Sequence, residues 1–292
     1  MDEPYEEVTR QFEDRLNEHG YGFTYAVLET IKKNPHGWKL KATEFPVEVR
    51  GKSTRIDFIL RHWKANVFIV AECKRANPRT AKWCFAKATT ASQLNDDYLR
   101  KFVLEDIRQA EKGGPHYRTA MDAWTTDQLH HIACEVKTGD TGTSGGKNVD
   151  EIEGAVTQVL RGMNGLADWF VANPAAVPSR AEGMKPIGLM PVVFTTANLF
   201  SSSVDLSTTD LQTGRVAVRG EDLHEVNWLH YQYYQAPSLL STVRPAHENK
   251  NLVDALHNDF TRTVAFVSPD GISEFLTQTS ELIANPFHSE RW

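Results

Sequence analysis

Two acids and a lysine in this chain have the types and the spacing for phosphodiester chemistry. Glu72 and Lys74 flank Cys73 at the end of the apolar run Val67-Phe68-Ile69-Val70-Ala71, and Asp57 lies 15 residues before Glu72. Strand side chains alternate, so Glu72 and Lys74 project from one face. Asp57 is out of phase with Ile56 and Phe58, and an antiparallel neighbour can set it beside Glu72. Two carboxylates hold one or two hard divalent ions. Such an ion polarises a phosphate and lowers the pKa of a bound water. A lysine beside it orients that water or stabilises charge on the phosphorus.

The Glu-x-Lys tripeptide alone is weak evidence, because about one is expected by chance in a chain of this length. Context adds specificity: ionisable groups that end a buried strand need a reason, since burying charge is costly. The bland reading is a structural Glu–Lys pair at a strand end. A rival set is Glu135 and Lys137, which also follow an apolar stretch, with Asp122 13 residues before Glu135. The stretch from Asp122 to Gln128 does not alternate like a strand, which favours the first set.

The elements that must position these groups follow from periodicity. Residues 4–19 and 22–34 read as helices, with Tyr5, Val8, Phe12 and Leu16 at helical spacing. Residues 40–50, 54–61 and 67–74 read as an antiparallel three-strand meander. Residues 79–128 read as mostly helical, broken at Gly113-Gly114-Pro115, and 131–137 as a strand. A Gly/Thr/Ser-rich loop at 138–147 precedes a strong helix at 149–171 and a buried strand at 187–197. Residues 204–292 read as mixed and aromatic-rich, ending in helices near 250–260 and 271–284. This order predicts a mixed α/β sandwich rather than a Rossmann-type parallel sheet.

Composition constrains the setting. At 292 residues, 40% hydrophobic and 24% charged, the chain has the make-up of a soluble globular protein. No run of 18 apolar residues reads as a membrane span, and the acidic N-terminus does not read as a secretory signal. Cys73, Cys84 and Cys134 cannot form a closed disulfide set, so a reducing, cytoplasmic location is expected. The net charge of −6 hides an asymmetry: residues 31–87 carry 14 Lys and Arg against Glu44, Glu48, Asp57 and Glu72, which leaves −16 on the rest. Phosphate binding depends on such a local basic face rather than on the total. Arg55, Arg61, Lys64, Arg75 and Arg79 flank the acids and are the expected phosphate contacts.

Thr54-Arg55-Ile56-Asp57-Phe58-Ile59-Leu60 followed by Val70-Ala71-Glu72-Cys73-Lys74 resembles the PD-(D/E)xK nuclease superfamily, the restriction-endonuclease-like fold. Ile56 stands where the motif's proline would be. Element order extends the resemblance over residues 1–200, with 79–128 as a helical insertion and 201–292 as a C-terminal α+β extension packed on the core. The resemblance implies Asp57 and Glu72 as ligands of Mg²⁺ or Mn²⁺, Lys74 as the water-positioning residue, and DNA as partner and substrate. Many members also carry a Gln on the helix after the motif, and Gln158 answers that description, on a face shared with Gly154, Gly162 and Gly165. Restriction, anti-phage defence or repair is the implied setting. A catalytically inactive DNA-binding module or defence-complex subunit, and an RNase, are the alternatives. No helicase or methyltransferase motif is recognisable, so translocation or self-protection would come from a partner such as a helicase or ATPase; a homodimer is also compatible.

Other motifs carry less. The 138–148 loop fails as a P-loop, since Thr141 and Asn148 occupy the positions of its first Gly and its Ser/Thr. Trp228, Tyr231, Tyr233 and Tyr234 could stack bases, but aromatics so spaced are more often core.

Overall fold

The computed structural model describes residues 3–18, 20–77, 81–87, 101–109, 116–125, 129–136, 150–173, 187–234 and 261–284. The chain opens with helices α1 (Glu3–Glu18) and α2 (Tyr21–Lys33), separated by Gly20 in the left-handed region at φ 72°. The meander follows as β1 (Trp38–Val49), β2 (Lys52–His62) and β3 (Val67–Lys74), antiparallel throughout. Then come β4 (Lys82–Ala86), β5 (Lys101–Gln109), β6 (His116–Thr125), β7 (Leu129–His130) and β8 (Ile132–Val136). Helix α3 (Glu151–Ala172) leads to β9 (Ile187–Thr195), β10 (Asn198–Ser202), β11 (Leu223–Val226), β12 (Trp228–Tyr234), β13 (Thr261–Val267) and α4 (Ile272–Ala284).

Among the described residues nine strands form a mixed sheet in the order β1-β2-β3-β9-β13-β12-β7, with β5 also on β9 and β6 on β5. A smaller sheet runs β11-β10-β4-β8. The architecture is therefore mixed α/β, a large mixed sheet flanked by helices. Helices α2 and α4 cover one face, where Val27, Ile31, Phe58, Leu60, Ile69, Phe275 and Leu276 pack. The other face is covered by α3, whose stripe Ile152, Val156, Val159, Met163, Leu166 and Phe170 meets Ile56, Ile59, Phe68 and Val70. Each such side chain contributes roughly 1.5–3 kcal/mol when fully buried. Asp150 starts α3 by accepting hydrogen bonds from the Ile152 and Glu153 amides. Gly162 and Gly165 let α3 settle on the meander: a Cβ on either would lie 2.9 Å from Ile56 or 2.7 Å from Val47. Of the glycines that share a face with Gln158, Gly162 and Gly165 thus pack against the sheet, while a Cβ on Gly154 would meet nothing within 4 Å.

Two expectations are corrected. The described residues of segment 79–128 form β4, β5 and β6 rather than helices. Gly113-Gly114-Pro115 falls between two paired antiparallel strands, and β5 is held by the edge of β9. That long-range ladder overrides local propensity. Asp122 consequently lies in a strand, opposite Val103. Nor is 201–292 an extension on a finished core. Strand β13 is hydrogen-bonded parallel to β9 inside the main sheet, and α4 supplies half of one core face. The stripe Tyr5, Val8, Phe12 and Leu16 of α1 stays exposed. The expected 138–147 loop and 250–260 helix lie outside the described residues.

Candidate functional site

The β2–β3 ladder ends at the pair Phe58–Ala71. One residue further along each strand stand Asp57 and Glu72, where β3 continues paired with β9 alone as far as Lys74 beside Thr195. The opened ladder frees the Cys73 amide, which donates to Asp57 Oδ2 at 2.6 Å. Glu72 points to the α3 side, and its carboxylate, 4% exposed, accepts from Lys74 Nζ at 3.0 Å. Lys74 Nζ also donates to Gln158 Oε1 on α3 at 2.8 Å. The strand exit is tied to the same helix, as the Asn77 amide donates to Glu151 at 3.3 Å. The group lies at the C-terminal ends of the parallel strands β3 and β9, where open α/β sheets place ligands.

The acids are held out of their ordinary range. Burial pushes the Glu72 carboxyl up to about 8, reinforced by Asp57 and opposed by Lys74. Burial also raises Asp57 to about 6, against the lowering effect of the Cys73 amide, with Glu44 raising it and Lys74 lowering it. Two desolvated carboxyls sharing one lysine are undercompensated, and a further cation would relieve them. Their hard oxygens suit Mg²⁺ or Mn²⁺, and Mg²⁺ is commonly held by one or two carboxylates with water and substrate oxygens completing the shell. Among the described residues no three His, Cys, Asp or Glu side chains are gathered as a larger metal-holding group.

Glu44 is a neighbour that sequence reasoning passed over. It sits in β1 at the register position facing Asp57, in the left-handed region at φ 49°. Its charge acts on Asp57, Glu72 and Cys73. Arg55 Nη1 approaches its carboxylate at 3.8 Å. A non-glycine residue held there is a small store of strain of the kind found at functional sites. A signal for it existed: three of the four acids in the basic 31–87 segment, Glu44, Asp57 and Glu72, converge here.

The expected phosphate contacts divide. Arg55 and Arg75 are exposed beside the acids, Arg75 directly after Lys74. Arg61 and Lys64 are not at this site. Arg61 lies four residues along β2 from Asp57, roughly 13 Å away. It bonds Asn66 at 3.0 Å and covers the Phe68 ring. Lys64 lies beyond it in the β2–β3 turn, 4.6 Å over the Trp63 ring. The meander's charge is spread along a hairpin whose far end points away. Arg79 lies outside the described residues.

The two acids of the rival set lie on strands of different sheets. Glu135 is on β8 of the small sheet and Asp122 on β6 of the large one. Glu135 Oε1 accepts the Ile152 amide at 2.9 Å, so it helps cap α3. Burial lifts it to about 7, opposed by that amide and reinforced by Asp150. Lys137 lies outside the described residues. Three of the four aromatics are held by neighbours, as Trp228 packs on Phe275, Tyr231 on Phe85 and Phe266, and Tyr233 donates its hydroxyl to Glu153, whereas Tyr234 is exposed. These residues lie on a strand, β12, and not on a helix.

No family model, curated protein or solved structure matches this chain. Among the described residues no helix is long and apolar enough to cross a membrane.

Proposed function

We propose that the chain is a divalent-metal-dependent nuclease that hydrolyses DNA phosphodiester bonds through Asp57, Glu72 and Lys74, on a restriction-endonuclease-like core. The observation that carries this reading is the buried Glu72 carboxylate, 3.0 Å from Lys74, beside an Asp57 whose carboxyl is also raised. Asp57 and Glu72 would hold Mg²⁺ or Mn²⁺. That ion supplies a Lewis acid for the phosphate and a bound water of lowered pKa. Lys74, held from two sides by Glu72 and Gln158, would offer its ammonium to the phosphate's developing charge. Arg55 and Arg75 add exposed positive charge for neighbouring phosphates. Cation binding must displace the proton that Glu72 keeps near neutrality, so affinity should rise as pH climbs toward 8.

Nicking of supercoiled plasmid in Mg²⁺ or Mn²⁺ tests the reading. Lys74→Ala should lower the rate by roughly 100-fold or more, as loss of a charge-stabilising donor does. Lys137→Ala should retain wild-type activity. Equal activity of wild type and Lys74→Ala sinks the catalytic assignment, and cleavage confined to a matched RNA substrate moves it to RNA.

A further inference from the structure

Strands β4 and β8 bring two cysteines face to face. In their antiparallel register Cys84 is the direct partner of Cys134. Directly opposed residues of an antiparallel pair project from the same face, with Cα atoms about 4.5–5.5 Å apart. A disulfide needs Cα atoms about 4.4–6.8 Å apart. The face is accessible. Trp83 and Phe85 on either side of Cys84 are fully buried, so Cys84 points the other way and is half-buried. Cys134 is exposed, as are its neighbours on that face, Ile132 and Val136. Among the described strands β8 is the edge of the small sheet. The two thiols are also within electrostatic reach, since Cys134 raises Cys84 after burial does.

We propose that Cys84 and Cys134 form a reversible redox pair, closing to a disulfide by exchange with a small-molecule disulfide. The Cys134 or Cys84 thiolate attacks one sulfur of that oxidant, giving a mixed disulfide and releasing one thiol. The second cysteine then attacks its partner's sulfur and expels the other thiol. Two protein thiols are oxidised, one external disulfide is reduced to two thiols, and the protein loses two hydrogen atoms. The link staples the edge strand β8 to β4. Strand β8 carries Glu135, which holds the N-terminus of α3, and α3 carries Gln158 at Lys74. Cys73, on a different sheet, takes no part.

Peptide mapping of the reduced full chain after incubation with oxidised glutathione, under non-reducing conditions, tests this. The expected product is an intramolecular Cys84–Cys134 peptide lacking two hydrogens and lost on dithiothreitol treatment. It should be absent from Cys84→Ser and Cys134→Ser, which each stop at the glutathione adduct. Wild type that yields only glutathione adducts, only chain-to-chain disulfides, or two cysteines still open to alkylation overturns the proposal. Because wild type itself is mapped, the outcome does not depend on a variant folding.

Discussion

Glu72→Gln removes an ionisable group while keeping the shape of the side chain, and its effect on stability can be worked out with its sign. The folded protein holds this carboxyl at about 8 against an ordinary value of 4.5, first through burial and then through Asp57. Between those values the unfolded chain is ionised here and the folded chain keeps its proton. The stability from this residue is therefore fully present below pH 4.5 and is lost as pH rises toward about 8. Each pH unit in that window costs about 1.4 kcal/mol. Between pH 5 and pH 7 the metal-free wild type should lose roughly 3 kcal/mol more than the Gln variant, which has no proton to give up there. Urea unfolding of both proteins in chelator at the two pH values measures the difference, and the other titrations are common to both. Millimolar Mg²⁺ should restore wild type at pH 7 and leave the variant unchanged, because only a carboxylate pair gains from the cation. Plasmid nicking should fall with the same substitution. Parallel pH dependences for the two proteins would falsify the picture of a buried, undercompensated acid and remove the main support for the metal site.

Other outcomes follow from the same geometry. Glu135→Ala should cost about 1 kcal/mol in urea unfolding, because Asp150 still accepts the Ile152 amide at 2.9 Å; nicking should persist, and its loss to the level of Lys74→Ala would return Glu135 to the site. Gly162→Ala places a methyl 2.9 Å from Ile56 Cγ1 and should destabilise by about 1–3 kcal/mol. That shift lifts α3 from β2, so nicking should weaken as Gln158 leaves Lys74, and an unchanged urea midpoint would contradict the close seating. Oxidation of the Cys84–Cys134 pair closes a loop of about 50 residues and should stabilise by about 4 kcal/mol, read as a higher urea midpoint that Cys134→Ser does not share.

How much of this was legible beforehand depends on whether the determining interaction is local. Periodicity in the chain itself determined α2, α3, β9 and the strand character of the β1–β3 meander, but the face alternation breaks in β2, where Ile56 packs on the α3 side while Phe58 and Leu60 pack on the α2 and α4 side. The trio Asp57, Glu72 and Lys74 was readable because a short antiparallel connection sets neighbouring strands side by side before any distant contact forms. Only the tertiary structure decided the rest. Strands β5 and β6 read as helix because what makes them strands is the edge of β9, more than 60 residues away in sequence. Strand β13 read as part of an appendage because its parallel partner β9 is equally remote. Gln158 reaches Lys74 across 84 residues, through glycines that let a helix lie on a sheet. Glu44 and the facing cysteines are register facts, invisible until strands are paired. Arg61 and Lys64, close to Asp57 in sequence, are carried away from it because an extended strand advances roughly 3.3 Å per residue.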